Sequence, residues 1–237
     1  MCGIVGAVCN RDVFGILIEG LKRLEYRGYD SAGLSLIDAN SCLNTQKTIG
    51  RVADLEDLFN GEIPNGGLGI AHTRWATHGV PSSANSHPHT SGSISVVHNG
   101  IIENHNLLKE ELRDRGATLS SETDSEVIAH LIELYSSETG SLKEAVNKTL
   151  SRLEGAYAIC AISKDYPDKM IGARSGSPLV IGLGIGEHFM ASDQMALRQV
   201  TDRFIYLEEG DVAEVSKNEV SIFDDKGYLV EREINQI

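Results

Sequence analysis

Cysteine is scarce in this chain, and its arrangement excludes several kinds of stabilising site. Of 237 residues only four are cysteine, at positions 2, 9, 42 and 160, and no two form a C-x-x-C pair. Such spacing does not indicate a disulfide framework or a zinc ribbon. The N-terminus also lacks the basic segment and long apolar core of a secretory signal peptide. We therefore expect a reduced, cytoplasmic protein.

Positive charge is also sparse. The chain has 21 Lys and Arg against 34 Asp and Glu, a formal net charge of −13, with no run of basic residues. Nucleic-acid-binding proteins usually carry a basic patch or stripe, so no nucleic-acid partner is expected. No stretch approaches the about 20 apolar residues of a membrane helix, so no membrane association is expected either.

The periodicity of the apolar residues predicts strands and helices that are largely segregated along the chain. Alternating or β-rich stretches predict strands at 3–8, 32–37, 68–73, 93–98, 156–162, 169–174, 178–184, 188–192, 203–208, 211–216 and 219–224. Helical spacing predicts helices at 14–26, 106–116, 125–137 and 141–155. This segregation favours an α+β protein with antiparallel sheets and helices packed outside them.

Cys2 is the first candidate for chemistry. A lone cysteine is usually a small buried hydrophobe. Cys2, in the opening MCGIVGAV, could likewise be only a small apolar residue of an edge strand. Removal of Met1 is expected because the second residue is small. Cys2 would then carry a thiol and a free α-amine, whose ordinary pKa of about 7.7–8.0 suits a general base. That pairing is the principle of N-terminal nucleophiles.

Two further motifs leave alternatives open on local evidence. In HTRWATHG, the planar guanidinium of Arg74 suits a carboxylate, although the segment could equally be an exposed turn after a strand. Asn99-Gly100 lies between apolar runs, the pattern of a type I′ hairpin turn. Alternatively, the Asn99 amide and the next backbone N–H could stabilise an oxyanion.

The segment SETDSEVIAH predicts a helix start. Thr123 and Glu126 have the spacing of a capping box, which would place Asp124 in the first helical turn. A ligand ammonium could also bind that carboxylate. A metal site built from the nearby histidines is a weak alternative, because H-E-x-x-H is absent. The histidines concerned are His72, His78, His87, His89 and His98.

Taken in order, the motifs resemble the glutaminase domain of class II glutamine amidotransferases, which are N-terminal nucleophile hydrolases. The resemblance spans nearly the whole chain and rests on MCGIVGAV, RLEYRGYDSAG, HTRWATHGVP, SHPH, VVHNGIIENH, SETDSEVIAHLI, ARSGSPLVIG and FMASDQMAL. It implies a four-layer αββα sandwich of two antiparallel sheets between helix layers. It also favours the oxyanion interpretation of Asn99 and Gly100 over the hairpin.

The resemblance implies a role for each site residue and no cofactor or metal. Cys2 would attack the side-chain amide of L-glutamine and form a γ-glutamyl thioester. The oxyanion would be held by Asn99 and Gly100. The remaining implied site residues are Arg74 for the substrate carboxylate, helped by Thr77 and His78; Asp124 for its ammonium; Trp75 as the gate for ammonia; and Arg27 near the nucleophile.

RGYDSAG together with HTRWATHG is similar to the phosphosugar branch of this family. Full-length members carry a C-terminal sugar isomerase region that binds fructose 6-phosphate, and the resemblance implies a homodimer for them. That region is missing here, so we expect a single glutaminase domain over 1–237, with VEREINQI at the start of a linker. The alternatives are a non-catalytic glutamine-binding module, if Met1 is retained, and a metal-dependent hydrolase.

Overall fold

The computed structural model describes residues 2–237, and the predicted loss of Met1 lies outside the described residues. In chain order the strands are β1 (Gly3–Cys9), β2 (Ser31–Ile37), β3 (Leu43–Ile49), β4 (Leu68–Arg74), β5 (His89–Ser91), β6 (Ile94–Ile102), β7 (Gly155–Ser163), β8 (Lys169–Ser175), β9 (Val180–Leu183), β10 (Glu187–Ala191), β11 (Arg203–Tyr206), β12 (Val212–Ser216), β13 (Val220–Phe223), β14 (Leu229–Val230) and β15 (Ile234–Gln236). The helices are α1 (Phe14–Leu24), α2 (Val52–Asp57), α3 (His105–Asp114), α4 (Glu126–Thr139) and α5 (Leu142–Leu150).

The strands of residues 2–237 form two antiparallel sheets. The first sheet has eight strands in the order β15-β11-β9-β10-β1-β4-β2-β3. The second has seven, in the order β14-β13-β12-β8-β7-β6-β5. In the first sheet β1 is central, with β10 on one side and β4 on the other.

Alternation along the strands sends apolar side chains into separate layers. In β1, Val5 and Ala7 pack with α1 and α2, whereas Ile4 and Val8 pack between the two sheets. A third apolar cluster lies between the second sheet and helices α3, α4 and α5. Because successive strand residues face opposite sides of a sheet, these clusters define four layers. The predicted αββα sandwich is confirmed.

The start of α4 differs from the predicted capping box. The residue before the helix is Ser125, so Asp124 precedes the first turn instead of lying in it. The Glu126 carboxylate accepts the backbone N–H groups of Ser120 and Ser121, both at 2.7 Å. The Thr123 hydroxyl lies 3.0 Å from His89 Nε2. The capping-box interpretation was wrong because both side chains have partners outside the helix.

Some elements were not foreseen from the sequence. Strand β3 carries mostly polar residues and helix α2 is only six residues long, which weakens their periodic signal. The tail was expected to begin a linker, but β14 and β15 pair within the sheets. Arg232, in the same tail, donates to both carboxylate oxygens of the fully buried Asp211, at 2.8 and 2.9 Å. Residues 229–236 therefore belong to the folded domain.

None of the helices within residues 2–237 is long and apolar enough to cross a membrane.

Gly33 gives a test of how closely the segment after β4 packs on β2. A Cβ at Gly33 would lie 2.0 Å from the His87 carbonyl oxygen, and that backbone cannot move freely. We expect Gly33→Ala to lower the free energy of unfolding by about 1–3 kcal/mol or more. The matched control is Gly15→Ala in α1, where a Cβ meets nothing within 4 Å. It should raise that free energy by about 0.5 kcal/mol. Urea unfolding measures both, and equal effects would contradict the packing.

Candidate active site

Cys2 lies immediately before β1, at the end of the central strand of the first sheet. The first peptide groups of β1 are fixed on both sides: Gly3 pairs with Thr73 of β4, and Ile4 N–H donates to Ser192 Oγ at 2.9 Å. The Cys2 sulfur accepts the Trp75 N–H at 3.1 Å. The chain end that carries the thiol is thus positioned by backbone pairing and by this N–H.

Asn99 and Gly100 lie inside β6, so the hairpin interpretation of this pair was wrong. Val97 of the same strand packs between the sheets, and the alternation places Asn99 on that face too. The Asn99 side chain crosses to the first sheet, where its Nδ2 donates to the Cys2 carbonyl at 3.2 Å. The predicted oxyanion donor and the thiol-bearing residue are therefore in direct contact.

Position 100 can be occupied without strain only by glycine. Its φ is +125°, and a Cβ there would lie 2.1 Å from the Ala156 carbonyl oxygen of β7. Both the backbone conformation and the close neighbouring strand exclude a side chain. The peptide group that follows Asn99 is thus held in an unusual orientation beside the cavity.

One cavity of about 480 Å³ brings together most of the predicted site residues. Those on its wall are Cys2, Arg27, Arg74, Trp75, Thr77, Asn99, Gly100 and Asp124. Ile101, Thr123, Ser125, Ser177, Pro178 and Ser192 complete much of the lining, together with His87 and His98. His78 is the predicted site residue that is not on the wall. The volume suits a small-molecule ligand such as an amino acid.

Arg74 ends β4 with a guanidinium that is only partly satisfied. The side chain is buried, and its Nη2 donates to the His78 carbonyl and, at 3.2 Å, to the Gly79 carbonyl. Its Nη1 is buried without a hydrogen-bond partner and lies 3.9 Å from Asp30 Oδ1. A buried donor without a partner carries a desolvation penalty that an anionic ligand would relieve.

Asp124 supplies the buried negative charge of the cavity. Its Oδ2 accepts the Ile102 N–H at 2.7 Å, which fixes the carboxylate beside the end of β6. His78 Nδ1 lies 3.7 Å from Oδ1, so His78 contacts Asp124 although it does not reach the cavity wall. Arg74 and Asp124 thus present opposite charges to one cavity.

Trp75 and Arg27 form part of the cavity mouth. The Trp75 side chain is exposed, and its ring lies against Gly28, where an added Cβ would be 3.2 Å from Cζ3. Arg27 forms an ion pair with Asp193, which follows β10. The segment RGYDSAG (27–33) therefore begins at the wall of the cavity that Cys2 also lines, and its arginine is paired with the residue Asp193.

Sequence reasoning did not foresee how Asp30 and His72 hold this site together, and it considered His72 only as a metal ligand. Asp30 Oδ2 accepts the Ala76 N–H at 2.6 Å and so fixes the segment after Trp75. His72 Nε2 lies 2.9 Å from Asn99 Oδ1. A signal was available for His72: it stands two residues before Arg74 in β4, and alternate strand residues share a face.

His72, His87, His89 and His98 are buried side chains that stay neutral. Burial lowers the pKa of His72 to about 3 and lowers those of His87, His89 and His98 below the usual range. Their rings contact one another: centroids lie 4.1 Å apart for His72–His87 and 4.7 Å apart for His87–His89. Within residues 2–237, no group of three His, Cys, Asp or Glu side chains is arranged to hold a metal ion.

The Cys2 thiol is protonated at neutral pH in this environment. Burial raises its pKa, and the hydrogen bond from the Trp75 N–H only partly opposes that effect. A thiolate is the reactive form of cysteine, so this sulfur needs a base at the moment it reacts.

Sequence comparison assigns the chain to a family. Residues 72–199, more than half of the chain, match the model described as a glutamine amidotransferase domain. The chain belongs to this family of class II glutamine amidotransferases. The matched region contains Arg74, Asn99, Gly100 and Asp124, and Cys2 precedes it.

Curated relatives are similar along the whole chain. Glutamine–fructose-6-phosphate aminotransferase [isomerizing] of Vibrio vulnificus is 58% identical over 234 residues, which cover 99% of this chain and 38% of the relative. The protein of that name from Pseudomonas putida is 57% identical over 237 residues, covering 100% and 39%. The chain thus spans about two fifths of the length of these relatives.

Solved structures share the fold. The glutamine phosphoribosylpyrophosphate amidotransferase of B. subtilis superposes with a TM-score of 0.75 at 28% identity, covering 99% of this chain and 49% of that one. A glutamine aminotransferase class-II domain protein from Silicibacter pomeroyi gives 0.61 at 15% identity, covering 94% and 99%. The latter likeness concerns the fold alone.

The buried histidines predict a loss of stability in mild acid. Unfolded histidines protonate near a pKa of about 6.5, whereas His72, His87, His89 and His98 stay neutral in the folded state, so the unfolded state binds more protons as the pH falls. Each contributes up to about 1.4 kcal/mol per pH unit below that value. Carboxylates are ionised in both states between about pH 5 and pH 6.5, so they add little there.

Urea unfolding over this pH range measures the effect. His87→Gln should reduce the slope of unfolding free energy against pH by about one proton. A free energy independent of pH between about pH 5 and pH 6.5 would show that these rings are not held neutral.

Proposed function

We propose that residues 1–237 form a glutaminase domain that hydrolyses L-glutamine to L-glutamate and ammonia. The observation that carries the proposal is the contact between Asn99 and Cys2: an amide donor reaches across the sheets to the residue bearing the thiol, at the wall of a cavity. A nucleophile next to an oxyanion donor is the arrangement that acyl transfer requires.

The charges of the cavity suit the amino-acid end of glutamine. The buried Nη1 of Arg74 would receive the α-carboxylate, and Thr77 would assist on the same wall. The carboxylate of Asp124 would bind the α-ammonium, and His78 would support Asp124 from behind. Because both charged groups are already buried, an ion pair with the substrate restores much of their lost solvation.

The first chemical step forms the thioester. The Cys2 sulfur attacks the side-chain amide carbon, its proton passes to the Cys2 α-amine, and the carbonyl oxygen becomes an oxyanion held by Asn99 Nδ2 and the Gly100 N–H. The oxyanion then collapses, the C–N bond breaks, and the ammonium form of the α-amine returns a proton to the departing ammonia. The products of this step are ammonia and a γ-glutamyl thioester.

Water completes the reaction. It attacks the thioester carbon with the α-amine again accepting a proton, the same donors hold the second oxyanion, and the thiol leaves as L-glutamate forms. No metal or cofactor takes part. Since burial raises the pKa of the thiol, a base on the same residue is the economical source of thiolate. The proposal therefore requires that Met1 is removed.

The full-length protein is proposed to use the ammonia for synthesis. Relatives that carry the name glutamine–fructose-6-phosphate aminotransferase extend well beyond the matched region. We infer that a C-terminal sugar isomerase region binds fructose 6-phosphate, converts it with ammonia to glucosamine 6-phosphate, and functions in a cytoplasmic homodimer. In this proposal Trp75 would control the passage of ammonia; its exposed side chain and its N–H bond to the Cys2 sulfur support that role.

Replacing the nucleophile tests the reaction. Cys2→Ala should reduce glutamine hydrolysis by at least about 10³-fold, because removing a nucleophile eliminates the covalent route. The matched control is Cys42→Ala, which removes an exposed free thiol outside the cavity and should hydrolyse glutamine at the unaltered rate. Glutamate release measured on both variants decides the matter, and normal turnover by Cys2→Ala would refute the proposal.

The same preparation separates the alternatives. Intact mass should show Met1 absent from the active protein; full activity with Met1 retained would contradict the α-amine as base. A domain that binds glutamine without turnover and keeps Met1 would be a binding module. Loss of hydrolysis after exhaustive chelation would instead support a metal-dependent hydrolase.

Asp124→Asn tests the ammonium site. The variant should bind L-glutamate about 10- to 100-fold more weakly, because a buried charged hydrogen bond to the α-ammonium is lost. Glutarate has the same two carboxylates and no ammonium, so its affinity should fall much less. Isothermal titration of both ligands makes the comparison, and equal losses would place the ammonium elsewhere.

A further inference from the structure

His72 joins the two sheets at the point where Asn99 reaches Cys2. Its ring extends from β4 of the first sheet, and its Nε2 lies 3.1 Å from the His98 carbonyl oxygen and 2.9 Å from Asn99 Oδ1, both in β6. His72 is fully buried. One ring nitrogen therefore contacts both the backbone and the side chain of the strand that carries the proposed oxyanion donor.

The His98 carbonyl decides which nitrogen of His72 carries the proton. A carbonyl oxygen only accepts hydrogen bonds, so Nε2 must be the donor at 3.1 Å. Burial lowers the pKa of His72 to about 3, so the ring is neutral and Nδ1 bears no proton. Consistently, Nδ1 is buried without any hydrogen-bond partner.

This tautomer in turn determines the orientation of the Asn99 amide. An amide can present either its oxygen or its NH2 group to a neighbour. Because Nε2 donates, the atom facing it must be the accepting Oδ1, and Nδ2 is directed to Cys2. With the amide rotated by half a turn, two donors would face each other at His72, and an oxygen would face the developing negative charge.

We propose that His72 is a positioning residue for the proposed glutaminase reaction, which keeps the Asn99 amide directed at the oxyanion. The inference rests on the proposed function but concerns a residue outside the cavity wall. His72 is itself held by β4, whose residue 72 pairs with Ile4 and Gly33, and by the His87 ring at 4.1 Å. The orientation of the amide is thus fixed before substrate arrives.

Two ligands distinguish orientation of the donor from general integrity of the site. L-Glutamate γ-semialdehyde adds to the Cys2 thiol to give a thiohemiacetal: an S–C bond forms, the C=O double bond becomes a single bond, and the thiol proton passes through the Cys2 α-amine to that oxygen. The oxygen then occupies the oxyanion position. L-Glutamate uses the charged end of the cavity without forming that bond. The ratio of their affinities therefore reports on the oxyanion donors.

His72→Phe keeps an aromatic ring against His87 but has no donor. We expect this variant to bind the semialdehyde at least about tenfold more weakly and to lose a similar factor in kcat for glutamine. Its L-glutamate affinity and its KM should be nearly unchanged. For comparison, removing an oxyanion donor outright lowers kcat about 10²–10³-fold. His72→Gln places an N–H near the same point and should recover most of the loss. The matched control is His188→Phe, another buried histidine with a ring nitrogen 2.7 Å from a carbonyl, which should change neither ratio nor rate.

A double-mutant cycle tests whether His72 acts through Asn99. In an Asn99→Ala background, His72→Phe should change semialdehyde affinity by less than about twofold, because the group that it orients is gone. An equal loss in both backgrounds would overturn the proposal.

Nitrogen-15 NMR of the wild-type protein provides a test that does not depend on the folding of a variant. The His72 ring should show a protonated Nε2 and an unprotonated Nδ1. A proton on Nδ1 alone would overturn the inference. A wild-type protein that neither hydrolyses glutamine nor binds the semialdehyde would refute the proposed function, whereas unchanged affinities in His72→Phe would refute only the role of His72.

Discussion

Backbone pairing on both sides of β1 is the constraint on which the site depends. An unsupported chain end frays, but the residue after Cys2 already belongs to a ladder with β4, and the strand continues between β4 and β10. The thiol therefore gains its position from the peptide hydrogen bonds of β1 together with the Trp75 N–H that its sulfur accepts. The small residues of GIVGAV let α1 pack closely over β1 and so help to hold the strand in place. At Gly3, for example, a Cβ would lie 2.7 Å from the Leu24 side chain.

The layer between the sheets changes from apolar to polar side chains along the strands, and the site lies at this change. Its apolar part contains Ile4, Ile70 and Val97. Two residues further along, β4 and β6 place His72 and Asn99 on the same faces. Packing the sheets face to face thus also sets the separation between Asn99 and Cys2. Polar side chains in such a layer must satisfy each other, which leaves them few orientations.

The sequence carried the fold class and most elements because the apolar alternation of the buried strands is strong. It could not give β3 or α2, whose exposed residues show little periodicity, nor the tail, whose pairing depends on distant partners. For the site, local rules misjudged Asn99-Gly100, since a turn signal was overridden by pairing with β7. His72 was considered only as a metal ligand, because its contact with Asn99 depends on a strand in the other sheet, a relation that no local pattern encodes.

The position of β1 also has a consequence for biosynthesis. Its partner β4 begins at residue 68, but β10 begins only at residue 187. Pairings so distant in sequence form late, and a chain grows from its N-terminus. The start of the chain must therefore wait, without its complete sheet, until most of the domain has left the ribosome. Until then, the segment that carries Cys2 lacks the sheet that finally positions it, and it is accessible to any enzyme that acts on nascent chains.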